Sequence, residues 1–456
     1  MNKNNDNEII CRASELIRAS RLTAHVITFG CQQNEADSER IRGMLLELGY
    51  TLTHAPETAD CIIVNTCAVR EHAEAKALSL LGRLKEYGAK REHFCLALVG
   101  CAAAETHVVK MIRSNFKYVG FTVEPPMIHR IPELLSRYIL LGERGFAIGE
   151  DDGRICEGLP QHREGILKSY VSVMYGCNNF CSYCIVPYTR GRERSRESTA
   201  VIEECRELVE RGAKEITLLG QNVNSYKSDM DFAELITRVA EIPGDFIVRF
   251  MTSHPKDVSD GLIDAIAASD GKIAPHFHLP LQSGSDRILA AMNRTYDTER
   301  YLSVVDKLRA AVPNISITSD IIVGFPGESD EDFEGTLSIM RRVRFDSVYA
   351  FIYSKRRGTP AEKMEGQVPL TIKRARINEL LEIQRELAEE KNREELGRLH
   401  RVLVEKVEEK RGQRLLSGRT GNNKPVHFVG DESLVGSFVR VKITRTTPHD
   451  LYAEII

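Results

Sequence analysis

The 456-residue chain has no run of about eighteen apolar residues, and its first residues, MNKNNDNEII, show no basic flank leading into an apolar stretch. A membrane-spanning helix needs about twenty such residues, so the expectation is a protein without a membrane anchor, working in the cytoplasm. An excess of positive charge is also missing: 62 Lys and Arg stand against 65 Asp and Glu, a formal net charge of -3. That excludes a wholly basic nucleic-acid coat and confines any RNA-binding face to a local patch. No period marks a repeat array. What is present is cysteine, eleven in all. In a long chain without a secretory start, thiols stay reduced and are better read as metal ligands than as disulfides. The length calls for two or three domains.

Three of the cysteines fall within eight residues, in YVSVMYGCNNFCSYCIVPYTRGRERSR. Cys177, Cys181 and Cys184 make C-x3-C-x2-C directly after a β-rich alternating run that ends at Gly176, so they lie on a loop beyond a strand. Structural zinc takes four protein ligands, and no His or fourth Cys follows at finger spacing. Three thiolates suit an iron–sulfur cluster with one iron left open for a small molecule. The competing reading is three core or zinc cysteines.

Upstream, HVITF, EADSERIRGMLLELGY, DCIIVNT, a helix over residues 76–87 and FCLALVG alternate strand and helix, the pattern of a parallel α/β sheet. Residues 1–22 precede it as an extension that reads as a short helix behind a polar tail, the domain spans 23–140 with Pro125, Pro126 and Pro132 breaking the pattern toward its end, and 141–162 reads as a linker. A cysteine follows each strand: Cys31, Cys67 and Cys101. Carboxyl ends in a parallel sheet share one edge, so these thiols can converge where such folds place ligands. Core packing is the alternative, since long separations carry no local metal signature. Cys61 and Cys95 sit at strand starts, toward the opposite edge, and are expected to be small buried hydrophobes.

From residue 163 to 396 six further strands alternate with helices, which suits a (β/α)6 partial barrel whose reacting groups come from loops at the carboxyl ends of strands. Those loops hold Cys177 to Cys184, Gln221, Ser253, His254, Gln282, the GFPGE turn and Tyr353. Residues 371–399 read as a charged connecting helix. The tail, 397–456, returns to short strands with turn signals, as in a small antiparallel barrel. It carries eleven Lys or Arg against seven Asp or Glu, an asymmetry that suits a polyanion. Arg190, Arg192, Arg194 and Arg196, beside the cysteine loop, could grip phosphates, or could be a solvated run paired to Glu193 and Glu197.

The C-x3-C-x2-C motif with Tyr183 before its last cysteine resembles the radical S-adenosylmethionine (SAM) enzymes. The whole order of two three-cysteine sites, partial barrel and terminal barrel resembles their methylthiotransferase family, and within it the synthases that modify N6-isopentenyladenosine in tRNA. FGCQQNEADSE, NTCAVREHAEAK, GCNNFCSYCIVPYTRGRERSR, LLGQNVNSY, RFMTSHP, HLPLQSGS, SDIIVGFPGE and YSKRRGTPA carry that likeness. The resemblance implies that Cys177, Cys181 and Cys184 hold a 4Fe–4S cluster that binds SAM, and that Cys31, Cys67 and Cys101 hold an auxiliary 4Fe–4S cluster furnishing sulfur. It implies two SAM molecules per product, one as methyl donor and one as radical source, with Tyr183, Gln221, Ser253 and Gln282 near SAM. It further implies an RNA-binding TRAM domain at the end of the chain. The implied partners are a tRNA anticodon stem-loop, a reductant such as flavodoxin or ferredoxin, and an iron–sulfur carrier. Two departures stand out: Ala104 replaces the family's usual Gln, and LLGQN replaces the Gly-Gly-Glu turn of many radical SAM enzymes. Sister enzymes acting on threonylcarbamoyladenosine in tRNA or on a ribosomal protein are the rival reading, and the GCNNFCSYCIVPYTRG and GQNVNSY wording argues against both.

Overall fold

Runs of Ile, Val and Cys long enough for one strand, each followed by a helix-period segment, repeat along the first third of the chain, and they fold as that pattern dictates. A computed structural model describes residues 3–68, 71–88, 91–149, 153, 155–410 and 412–456. The chain forms two compact units: Met1–Glu164 with Tyr175–Asn178 and Cys184–Arg194, and Gly165–Met174 with Asn179–Tyr183 and Ser195–Ile456.

In the first unit the elements are α1 (Lys3–Ala19), β1 (Thr23–Thr28), α2 (Gln32–Glu47), β2 (Thr51–Leu52), β3 (Cys61–Thr66), α3 (Glu71–Leu84), β4 (Cys95–Gly100), α4 (Thr106–Asn115), β5 (Val119–Val123), α5 (Ile131–Leu141) and β6 (Gly145–Ala147). The six strands are parallel in the order β2-β1-β3-β4-β5-β6. β3 and β4 are buried along their whole length, as strands covered on both faces must be. Ala13, Ile17, Ile41, Leu45 and Leu135 of α1, α2 and α5 cover one face, and Leu81, Leu84, Val108 and Ile112 of α3 and α4 cover the other. The N-terminal extension is the expected helix, and its Ala13 and Ile17 are fully buried in the core of this unit. One expectation changes here. The segment read as a linker contains β6, the sheet's sixth strand, three residues too short to show alternation; residues 150–152 and 154 of it lie outside the described residues. Cys61 and Cys95 pair in register at the starts of β3 and β4, fully buried.

The partial barrel begins with β7 (Lys168–Ser172) and β8 (Met174–Tyr175), then α6 (Val186–Thr189), β9 (Arg194–Ser195), α7 (Ser198–Glu210), β10 (Glu215–Leu219), α8 (Phe232–Ala240) and β11 (Ile247–Phe250). It continues through α9 (Asp260–Ala268), β12 (His276–His278), α10 (Asp286–Ala291), α11 (Thr298–Ala311), β13 (Ser316–Val323), α12 (Asp330–Val343) and β14 (Ser347–Ile352). Parallel pairing runs β7-β10-β11, then β12-β13-β14, and an isolated bridge from Val248 to Ile273 links the halves. Alternate residues such as Val171, Ile216, Leu218, Val248, Phe277 and Ile321 pack beneath the helices. The other face carries Tyr170, Thr217, Arg249, His278, Asp320, Ile322, Tyr349 and Phe351, aligned by register.

α13 (Leu370–Arg393) leads to β15 (Leu399–Lys410), β16 (Gln413–Thr420), β17 (Pro425–Phe428), β18 (Phe438–Thr446) and β19 (Leu451–Ile455). These close a barrel in the order β15-β16-β17-β19-β18 around Val402, Val404, Leu416, Phe428, Val441 and Ile443. The barrel is antiparallel except where β17 pairs parallel with β19, a closure between distant strands that turn signals do not reveal. It is bonded to the rest of its unit: Arg249 on β11 donates to the Thr420 and Gly421 carbonyls at 3.1 and 3.0 Å, and Lys424 pairs with Asp346 at 2.7 Å, both side chains buried.

Candidate iron–sulfur and SAM site

In the first unit the chain order β1-β2-β3, with β1 lying between β2 and β3, reverses the direction of sheet growth, and ligands of parallel sheets gather at such a switch, beyond the strands' carboxyl ends. Cys31 and Cys67 follow the two strands flanking it, and Cys101 follows the next. The loops close tightly on one another. A Cβ on Gly30 would lie 3.1 Å from the Cβ of Cys67, and one on Gly100 would lie 2.5 Å from the Thr66 carbonyl oxygen. Both glycines hold positive φ, +151° and +93°, so the residue before Cys31 and the residue before Cys101 must be glycine on grounds of space and backbone alike.

Beneath the thiols runs a buried polar network that the sequence does not announce. Asn34 and Asn65 are fully buried. Asn34 accepts from the Cys31 backbone N–H at 3.4 Å and from its thiol at 3.3 Å, and donates to Asn65 Oδ1 at 3.1 Å. Asn65 donates to the Asn34 carbonyl and to Ser38 Oγ, each at 2.9 Å. A loop cannot be buried without such partners, so these amides tie the β1 and β3 loops into one floor.

Cys67 and Cys101 are each 3% exposed, while Cys31 is exposed. Burial pushes the Cys101 thiol up to about 11; Arg190 opposes this, and the neighbouring Cys67 and Cys31 thiols add to it. Among the described residues only Glu74, Glu105 and His107 bring three ligand atoms within 4.8 Å of one another. Cys31, Cys67 and Cys101 are not such a set, so at least one pair of their sulfurs lies beyond 4.8 Å, wider than the about 3.8 Å that a tetrahedral ion with Zn–S of about 2.3 Å would impose. Three thiolates spread in this way suit a multi-iron cluster better than a single zinc.

The arginine run does not form a phosphate-gripping patch as a whole. Arg190 is 4% and Arg196 5% exposed. Arg190 donates Nε–H to Cys101 Sγ at 3.1 Å and pairs with Asp37 at 2.9 Å. Arg196 donates to the Ser172 carbonyl at 2.8 Å and to Glu204 at 2.7 Å. A guanidinium committed inward cannot meet RNA, which is the correction to that expectation; Arg192 is exposed and Arg194 half-buried. Burial works against the Arg190 charge, but Cys101, Asp37 and Cys31 outweigh it and hold its pKa above the ordinary arginine value.

Cys177, Cys181 and Cys184 lie on the loop between β8 and β9, whose pairing returns the chain to its starting point. In the first unit, the Cys177 N–H donates to the Gly191 carbonyl at 3.2 Å. In the second, Asn293 donates to the Asn179 and Phe180 carbonyls at 3.2 and 2.9 Å, and the buried Arg294 reaches Cys181 Sγ at 3.5 Å. Tyr183 sits edge-on to Phe325, with ring centroids 6.5 Å apart. At the carboxyl ends of β10 and β11, Gln221 Oε1, Asn222 Oδ1 and Ser253 Oγ are buried and meet no hydrogen-bond partner among the described residues. Three orphaned acceptors on neighbouring strand ends are what a bound amine or hydroxyl would satisfy, so they fit the amino acid and ribose groups of SAM. Gln282 is 7% exposed with φ +69°, bonded through its backbone to Asp320 and Ile322. His254, stacked edge-on to Tyr296, is pushed down to about 2 by burial and by Arg294, so it stays neutral.

Three family models match consecutive parts of the chain: "Uncharacterized protein family UPF0004" over residues 23–123, "Radical SAM superfamily" over 171–340 and "TRAM domain" over 393–456. Among solved structures the chain is similar to the radical SAM methyltransferase TsrM from Kitasatospora setae, with a TM-score of 0.56 over 75% of this chain and 74% of that one. At 14% identity this likeness concerns the fold alone. Among proteins of known name, it is 46% identical to the tRNA-2-methylthio-N(6)-dimethylallyladenosine synthase of Thermoanaerobacter pseudethanolicus, covering 98% of this chain and 96% of that one. It is 48% identical to the synthase of the same name from Alkaliphilus oremlandii, covering 94% and 92%. Matched at nearly half of all positions over almost its whole length, the chain belongs to the family of tRNA-2-methylthio-N(6)-dimethylallyladenosine synthases.

Proposed function

We propose that this protein inserts a methylthio group at C2 of an N6-isopentenyladenosine next to the anticodon of tRNA. The placement of Cys31, Cys67 and Cys101 after three parallel strands at a sheet switch point, in a chain that also carries C-x3-C-x2-C, is the observation that carries this reading. When bound, two 4Fe–4S clusters and SAM supply the radical that opens the C–H bond and the sulfur and methyl group that replace the hydrogen.

The chain's own residues do the holding. Cys177, Cys181 and Cys184 would ligate the cluster that takes SAM, and Cys31, Cys67 and Cys101 the auxiliary one. Gln221, Asn222 and Ser253 offer SAM their unpaired oxygens, with Tyr183 and Gln282 in the same group of loops. Tyr349 and Phe351 are half-exposed on the face of β14 away from the helices, and exposed rings suit an adenine extruded from a loop, where unstacking costs only a few kcal/mol. An apolar pocket gains about 0.8 kcal/mol per buried methylene, so five prenyl carbons suffice for selectivity of a few kcal/mol. Exposed Arg440, Lys442 and Arg445 of the terminal barrel suit the tRNA backbone. No described helix is long and apolar enough to cross a membrane. A reductant such as flavodoxin or ferredoxin, an iron–sulfur carrier and a cytoplasmic setting complete the proposal.

The test is single-turnover methylthiolation of matched anticodon stem-loops with and without the prenyl group, alongside mass spectrometry of tRNA nucleosides from a strain with the gene deleted. Faster reaction of the prenylated stem-loop and loss of the methylthio nucleoside are expected. Equal rates, or reaction only with a ribosomal protein or threonylcarbamoyladenosine, would overturn the substrate.

A further inference from the structure

Arg190 is an expensive residue in its place. A guanidinium taken out of water must recover its solvation from specific partners, and Arg190 has two: Asp37 on α2 at 2.9 Å and the sulfur of Cys101 at 3.1 Å. Asp37 is itself 6% exposed, and Arg40 lies at 4.0 Å from it, so the carboxylate is clamped between two arginines. Arg190 also arrives by a short route. It follows Cys184 by six residues, through the single turn α6, and Ile185 in between packs on Cys101 and Ala68. The segment that supplies one cluster ligand thus supplies a donor to a ligand of the other triad.

Hydrogen bonds and positive charge at cluster sulfurs stabilise the more negative, reduced state, and so raise the reduction potential. A donor fixed by a buried carboxylate has one orientation, whereas a lysine would carry a similar charge without the planar fork. We infer that Arg190 is a positioning residue for the auxiliary site: its Nε–H, aimed at Cys101 by Asp37, sets the reduction potential of the cluster held by Cys31, Cys67 and Cys101. This rests on the two-cluster reading above. It gives the charges of Arg190 and Asp37 opposite effects, because one adds positive charge beside the sulfur and the other subtracts it, and an asparagine at position 37 removes that negative charge while keeping an oxygen to accept from Arg190.

The experiment is an EPR-monitored redox titration of the reconstituted holoenzyme with iron and sulfide analysis, for wild type, R190Q, R190K and D37N. The signal that changes on adding SAM belongs to the Cys177, Cys181 and Cys184 cluster, and the other is auxiliary. R190Q is expected to move the auxiliary midpoint to more negative potential, R190K to move it less, and D37N to move it to more positive potential, with the SAM-responsive midpoint unmoved in all three. Should R190Q load poorly, R190K and D37N decide. An unmoved auxiliary midpoint, shifts of one sign for both positions, or equal shifts in both signals would overturn the inference. Wild-type protein holding iron for only one cluster would instead defeat the two-cluster reading.

Discussion

The two cysteine triads meet one requirement by opposite means. Cys177, Cys181 and Cys184 are brought together by eight residues of loop, and their placement survives wherever that loop is closed at its base by β8 and β9. Cys31, Cys67 and Cys101 are spread over seventy-one residues and reach one sheet edge only because three parallel strands end there, where two buried asparagines tie two of their loops together. A local site depends on its own turn; an assembled site depends on the stability of a whole domain. The contrast teaches where each site is vulnerable.

The largest expected effect separates the triads by chemistry. Cys177→Ala, Cys181→Ala or Cys184→Ala should abolish reductive SAM cleavage, while Cys31→Ala, Cys67→Ala or Cys101→Ala should keep cleavage and form no methylthio product; chromatography of deoxyadenosine and of nucleosides distinguishes them. Deoxyadenosine from a Cys177→Ala protein would reverse the assignment. Next comes stability. Asn65→Ala removes two donated bonds and one accepted bond in a buried site, a loss of about 2–4 kcal/mol that denaturant unfolding would register, together with iron loss from the auxiliary site. Normal auxiliary loading in that variant would deny the asparagine floor its role. The counterpart at the local triad is Asn293→Ala. Its two bonds to the cysteine loop lie at an exposed side chain, so the expected cost is about 0.5–1 kcal/mol, and a value as large as that of Asn65→Ala would erase the distinction. Smallest, and silent at both triads, is R440E with K442E on the terminal barrel. SAM cleavage without tRNA should be unchanged, while the slope of log affinity against log salt falls by about 0.7–0.9 for every phosphate the barrel no longer neutralises. An unaltered slope would remove those positions from the RNA face.

The same contrast explains what can be read from the chain before it folds. Ligands at short spacing announce themselves, and so do cysteines that each follow a β-rich run, because strand direction alone decides which edge they reach. The placement of both sets of cysteines after strand ends, and the succession of parallel sheet, partial barrel and small closed barrel, are therefore legible. Long-range polar pairing is not. Nothing local in VPYTRGRERSR says that Arg190 turns inward to Asp37, 153 residues away, rather than outward to RNA. Asn34 and Asn65 look like ordinary polar residues beside a turn until two strands bring them together. β6 is too short to show alternation, and the parallel β17–β19 pair joins segments separated by β18.

The bonds from Arg249 and from Lys424 do more than fasten the terminal barrel to its unit. For an RNA gripped by that barrel they also set a fixed reach. A tethered module would let its cargo wander, and any exposed adenine within the tether's swing could enter. A module bolted to β11 and to the loop before β14 works as a ruler instead: the nucleotide presented to the strand ends is the one at a set distance along the RNA from the grip. Selection by length then precedes any recognition of the base, and lengthening the stem between grip and loop by one base pair should present a neighbouring nucleotide in its stead.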